Sequence, residues 1–301
     1  LIEQRRTRRW RIFFRFISIG LVVWSLGLIT YLVSGVDRDK PTVDRPAAAI
    51  IDITGVIAAG ETASAKHLNP ALRKAFEMPN IKGIVLRMNT PGGSPVQSSE
   101  IFNEIQRLKA EHPDMPVYAV AEDSMASGGY FIAAAADEIF VNPASLVGSI
   151  GVRMDGFGFV GTLEKLGIER RLLVSGDNKA LADPFSPEDP EHMAYLQSLM
   201  DQLHQQFIQA VITGRGERID VNDESLFSGL IYTGEQAVEN GLADDFDNVR
   251  NVIVNRIGVE HQIDLSPRRN RLEQLLQTGV RSFTETLFSQ QQLTPQPQYL
   301  P

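Results

Sequence analysis

Cysteine is absent from the 301-residue chain, which excludes a disulfide framework, a thiolate nucleophile and a cysteine-ligated zinc or iron–sulfur centre. Any covalent catalysis must use another side chain. Histidine is scarce: His67, His112, His192, His204 and His261 are the whole set, and none adjoins a glycine-rich turn. There is no H-E-x-x-H and no dense Asp/Glu/His cluster at ligand spacing, so neither a metal nor a cofactor is expected. An excess of positive charge is missing too. The net charge is −8, and since residues 1–40 hold eight Lys/Arg against three Asp/Glu, the rest carries −13. So acidic a body argues against nucleic acid as a partner. At 43% hydrophobic and 22% charged residues, the length suits one large domain or two small ones.

What the sequence does have, first, is a long uncharged run. From Phe16 to Val33 no residue is charged, and Ile17, Ile19, Leu21, Val22, Val23, Leu26, Leu28 and Ile29 make it strongly apolar. As a helix rising about 1.5 Å per residue it spans roughly 27 Å, close to the ~30 Å hydrocarbon core of a bilayer. Six arginines from Arg5 to Arg15 precede it, whereas Asp37, Arg38, Asp39 and Lys40 nearly cancel behind it. The run exceeds the ~7–15 residues of a signal-peptide core and ends without an A-x-A-like site. The pattern therefore predicts a cytoplasmic Arg-rich tail (1–15), a single transmembrane helix (16–34) and a linker (35–46) in the cytoplasmic, or inner, membrane. The positive-inside rule puts everything after the span outside the cytoplasm.

The folded part is expected over 47–265. Short apolar runs at 48–53, 83–88, 117–121, 138–141 and 148–152 read as strands, separated by helix-period segments at 69–76, 95–109 and 127–136. Such alternation implies an α/β domain around a largely buried sheet. A further apolar strand is expected at 171–174. Ser186-Pro187 opens a long helix that Gly214 stops, and Thr233, Gln236 and Gly241 bracket a short one. Residues 266–301 should form an amphipathic helix, 270–288, and a disordered polar tail.

Two strand-to-helix junctions carry adjacent glycines, Asn89-Thr90-Pro91-Gly92-Gly93-Ser94 and Met125-Ala126-Ser127-Gly128-Gly129-Tyr130. Ligands bind at the carboxyl ends of strands in α/β sheets, and glycine lets backbone amides approach them closely. The two loops could thus aim two N–H donors at one oxyanion. Ser127 reads either as a nucleophile on a turn or as a helix cap. Lys179, in Ser175-Gly176-Asp177-Asn178-Lys179, reads as a general base if desolvated or as an ordinary solvated lysine. Gly156-Phe157-Gly158-Phe159-Val160-Gly161 satisfies G-x-G-x-x-G, yet it lacks a βαβ context and does not argue for a dinucleotide.

From about Ala47 to Asp247 the chain resembles the signal peptide peptidase A family of membrane-anchored serine peptidases, in its short single-domain form. The matching segments are NTPGGS (89–94), ASGGYFIA (126–133), GSIGV (148–152), SGDNKA (175–180), IYTGEQA (231–237) and GLAD (241–244). The family's usual arginine is missing from Ser228-Gly229-Leu230. The resemblance implies a fold of repeated ββα units, as in the Clp protease and crotonase group. It implies a Ser/Lys dyad of Ser127 and Lys179, and an oxyanion hole from the Gly93 and Gly128 amides. Peptide substrates such as cleaved signal-peptide remnants, and a homo-oligomeric ring or dome at the membrane, follow from the same likeness. Two other readings stand beside it: a non-catalytic membrane scaffold that binds peptides, and an acyl-CoA enzyme of the crotonase type.

Overall fold

The computed structural model describes residues 10, 14, 16–28 and 43–267. The chain divides into two units, Leu1–Asp44 and Arg45–Pro301. In the first, residues 16–28 are helical and exposed. No helix among the described residues is long and apolar enough to cross a membrane. The rest of the expected span and linker, and the expected helix 270–288, lie outside the described residues.

In the second unit β1 (Ala47–Thr54), β2 (Ile81–Thr90) and β3 (Val117–Ala126) pair in parallel. Parallel neighbours need crossovers, which α1 (Ala65–Glu77) and α2 (Pro95–Glu111) supply. β1 is buried from Ala47 to Ile51 without alternation, as a strand covered on both faces should be. One face packs Ala48, Ile50, Val85, Val120 and Phe140 against Val252 and Ile253. Strand alternation puts Ile51, Ile53, Leu86 and Met88, all nearly unexposed, on the other. Each such buried aliphatic stabilises by about 1.5–3 kcal/mol relative to exposure.

The mixed sheet has eight strands and forks at β3. Residues 118–120 pair with β4 (Glu138–Val141), whereas 124–126 pair with β5 (Leu146–Gly148). β6 (Ile231–Thr233) runs antiparallel to β5, β7 (Asp245–Phe246) joins β4, and β8 (His261–Asp264) closes on β1. The fork brings the carboxyl ends of β2, β3 and β5 together.

Immediately after β3 comes α3 (Gly128–Ala133), buried along its whole length. α5 (Pro190–Arg215) packs behind it, with the short α4 (Val160–Lys165) in the intervening loop region. Phe131 of α3 sits between Phe102 and Phe207, at ring distances of 5.4 and 4.9 Å. The Tyr130 hydroxyl donates to Leu242 O at 2.8 Å, and burial pushes its pKa up, so the donor stays protonated.

Four expectations need correction. The strand expected at 148–152 is Leu146–Gly148. Residues 171–174 form no strand and are exposed. α1 starts at Ala65, not Asn69, and takes Pro70 into its interior. α5 starts at Pro190 because Asp189, not Ser186, caps it through the Glu191 N–H, and it ends at Arg215 before Gly216 at φ 57°. The G-x-G-x-x-G segment leads from irregular chain into α4, without the strand a dinucleotide site needs.

Candidate active site

Ser127 is the residue that turns β3 into α3. Its backbone is at φ 51° and ψ −123°, a conformation few L-residues adopt. The ladder continues through the turn, since the Ser127 N–H donates to Gly148 O at 2.8 Å. The hydroxyl makes no cap hydrogen bond, so helix capping does not account for this serine. The side chain is half-buried.

The other junction lies against it. A Cβ built on Gly92 would stand 2.7 Å from both Ser127 Cβ and Gly128 N, so only glycine fits there. Ile57 donates to Gly92 O at 2.9 Å and accepts from the Ser94 N–H at 2.7 Å. In that parallel bridge the flanking groups face Ile57, and the N–H of Gly93 itself points the other way. It points toward α3: a Cβ on Gly128 would be 3.2 Å from Gly93 N. Gly128 is the first residue of α3, where backbone N–H groups have no intrahelical acceptor. The Gly93 amide and the first amide of α3 therefore lie close together beside the Ser127 turn. Such a pair is suited to stabilise negative charge developing on a carbonyl oxygen.

The walls of this space are polar and well held. Ser98, fully buried, donates to Ser94 O at 3.0 Å, and its hydroxyl occupies the position a Cβ on Gly128 would need. Ser149 follows Gly148 with φ 53° and donates its N–H to Leu230 O at 2.7 Å. It brings a second hydroxyl-bearing residue to the Ser127 turn. Sequence reasoning did not single out Ser149, although GSIGV contains it. His204 Nε2 lies 3.1 Å from Ile150 O and is thereby committed to backbone.

Lys179 is not part of this constellation within the chain. It is exposed on a turn closed by its own N–H to Gly176 O at 3.1 Å, and among the described residues no hydrogen bond joins it to Ser127. The turn is tied to α5 by His192 Nε2, 3.0 Å from Asn178 Oδ1. Shortly before it the chain carries exposed apolar side chains, Leu172, Val174, and Leu173 at 99% exposure. The structure thus gathers Ser127, Gly93 and Gly128 and leaves Lys179 apart. Among the described residues no group of His, Asp or Glu is arranged to hold a metal.

The model of Peptidase family S49 matches residues 109–261. Among curated proteins, the chain is 38% identical to the Na(+)/H(+) antiporter NhaA of Brucella abortus, over 74% of this chain and 31% of that protein. It is 37% identical to an Enterococcus faecium protein provisionally named signal peptide peptidase SppA, over 58% of this chain and 49% of that one. It is 34% identical to a provisionally named protease of Synechocystis, over 67% of this chain and 70% of that one. The chain thus spans about a third to a half of the first two relatives.

Proposed function

The chain belongs to peptidase family S49, a family of serine-type peptidases, and from that premise we propose that it is a membrane-anchored serine endopeptidase. Its substrates are hydrophobic, extended peptides such as cleaved signal-peptide remnants. The observation that carries the reading is the convergence of Ser127 with the amides of Gly93 and Gly128. The fork in β3, whose two halves pair with different strands before α3 begins, supports a ββα unit of the Clp protease and crotonase kind. The arginines before residue 16 and the apolar run after it support a single-pass anchor with the peptidase domain extracytoplasmic.

In this mechanism Ser127 Oγ attacks the scissile carbonyl while neutral Lys179 Nζ takes the hydroxyl proton. The carbonyl oxygen becomes an oxyanion held by the Gly93 and Gly128 N–H groups. Collapse breaks the C–N bond, and the Lys179 ammonium returns its proton to the leaving amine. Water then attacks the acyl-Ser127 ester with Lys179 again as base, the ester C–O bond breaks, and the Lys179 ammonium returns the proton to Ser127 Oγ as the new carboxyl group leaves. A lysine that accepts a proton at neutral pH needs surroundings that disfavour its ammonium form, and apolar surroundings do so. The exposed Leu172, Leu173 and Val174 just before Lys179 offer that setting once covered. We therefore include a homo-oligomer in the proposal, with Lys179 of one protomer serving Ser127 of its neighbour.

The test is cleavage of apolar peptides by the full chain in detergent. Ser127→Ala and Lys179→Ala should each fall to background, and a mixture of the two should regain activity. A Ser127→Ala protein that still cleaves contradicts the proposal. A folded, assembled wild type that neither cleaves nor labels would leave the non-catalytic scaffold in its place.

A further inference from the structure

Thr90 is a fully buried hydroxyl at the end of β2, outside the dyad and outside the oxyanion donors. Its Oγ1 donates to Gly55 O at 2.6 Å and accepts from the Gly92 N–H at 3.1 Å. One side chain thus pins the loop after β1 to the first turn of the Pro91-Gly92-Gly93 segment. On its other side, the Thr90 methyl occupies space: a Cβ on Gly129 would lie 2.5 Å from Thr90 Cγ2. Gly129 is the second residue of α3, next to the Gly128 donor. Thr90 therefore touches both halves of the proposed oxyanion hole, the hydroxyl on the Gly92–Gly93 turn and the methyl on the start of α3.

The turn needs such a hold. Gly92 and Gly93 have φ of 97° and 153°, and glycine carries the largest conformational freedom of any residue. Among the described residues the Gly92 N–H has Thr90 Oγ1 as its hydrogen-bond acceptor. Without it this buried donor would be unpaired, at a cost that favours rotation of the peptide units on either side. The next peptide unit, which carries the Gly93 N–H, is held at its carbonyl by the Ile57 N–H at 2.9 Å, and Thr90 holds the Pro91–Gly92 unit on which its orientation also depends.

We infer that Thr90 is a positioning residue that sets the direction of the Gly93 N–H, and through it the transition-state stabilisation of the Ser127 reaction. The inference rests on the peptidase reading above. Donors of an oxyanion hole act only on charge that develops in the transition state, so loss of aim lowers kcat and spares ground-state binding.

The experiment compares Thr90→Val, Thr90→Ser and wild type as full chains, on one apolar peptide, recording kcat, KM, thermal midpoint and the rate of fluorophosphonate labelling of Ser127. Val keeps the methyl and the volume but has no hydroxyl. Thr90→Val should lose roughly ten- to a hundredfold in kcat with KM within about twofold, and label correspondingly slowly. Thr90→Ser, which keeps the hydroxyl, should stay within about threefold of wild type. Should Thr90→Val not fold, Thr90→Ala read against Thr90→Ser carries the same comparison. Equal kcat for hydroxyl-bearing and hydroxyl-free variants overturns the inference while leaving the peptidase reading intact. So does a loss in KM alone. A wild type that neither cleaves nor labels overturns both.

Discussion

A methyl group on Gly92 would stand 2.7 Å from Ser127 Cβ, although the two residues lie on different crossovers of the sheet. This contact joins the turn after β2 to the turn after β3. It predicts that Gly92→Ala cannot be accommodated: the residue sits at φ 97°, and its new Cβ would push on Ser127 and the Gly128 amide together. Peptide cleavage should fall roughly a hundredfold or more, the scale of losing an oxyanion donor. Circular dichroism should still report a folded domain, with a lowered thermal midpoint, because the clash is confined to the turns after β2 and β3.

Gly214 offers a prediction with an unusual sign. Replacing an interior helical glycine by alanine ordinarily stabilises by about 1 kcal/mol. Here a Cβ at Gly214 would overlap Ala134 O, the carbonyl just beyond α3. Gly214→Ala should therefore destabilise, by about 1–3 kcal/mol on the scale of overpacking. Urea unfolding measures it directly.

Arg215 is 2% exposed, and it donates to Gly241 O at 3.0 and 2.8 Å and to both Asp244 oxygens. Asp244 in turn accepts from the Ile139 N–H of β4, so this pair ties the end of α5 to the sheet. Arg215→Met leaves the carboxylate with Arg218, at 3.1 Å and half exposed, as its remaining arginine and strips Gly241 O of its donors, and should cost about 2–3 kcal/mol. Arg215→Met with Asp244→Asn should cost less than Arg215→Met alone, as equilibrium unfolding of both variants will read.

The Arg107 guanidinium, with Arg73 beside it, holds the Glu104 carboxyl at about 2, against the desolvation that opposes it. A folded-state pKa below the unfolded value means stability that is complete above ~4.5 and disappears as pH falls toward 2. Both arginines are about half exposed, so solvent screening leaves about 1–2 kcal/mol of the effect. Glu104→Gln should lower stability at pH 7 and flatten its dependence between pH 4.5 and 2, measured by urea midpoints across that range.

The central strands were legible because burial on both faces leaves continuous apolar runs, and the run 48–53 lies within β1, which extends it by one residue at each end. Ser94 caps α2 through the Gln97 N–H, a local device that sequence displays plainly. Where competing local signals stood close together, sequence could not choose. Ser186-Pro187 and Asp189-Pro190 both announce a helix start, but the Ser186 hydroxyl is engaged with Asp183 and Arg170, which only the fold reveals. Gly214 looked like a stop and is a packing contact with Ala134; Gly216, at φ 57°, ends the helix instead. The apolar run 171–174 carries a strand's composition with no strand beside it in the chain. At the site the paired glycines were readable as close-approach positions. Thr90 and Ser149 were not, since a buried hydroxyl pinning a turn looks like any other threonine or serine. Lys179 was readable from its own surroundings only as one of two alternatives, a desolvated base or a solvated lysine, and its pairing with Ser127 came from the family likeness, because two positions so far apart in the chain share no local pattern.

The central claim is that Ser127 is the nucleophile, and one measurement addresses it most directly: treat the full chain in detergent with a fluorophosphonate, digest it and map the adduct by mass spectrometry. The account predicts a single adduct on Ser127, absent in Ser127→Ala and lost in step with peptide cleavage. An adduct on another residue that abolishes cleavage, or full cleavage by protein in which Ser127 is modified, would contradict it.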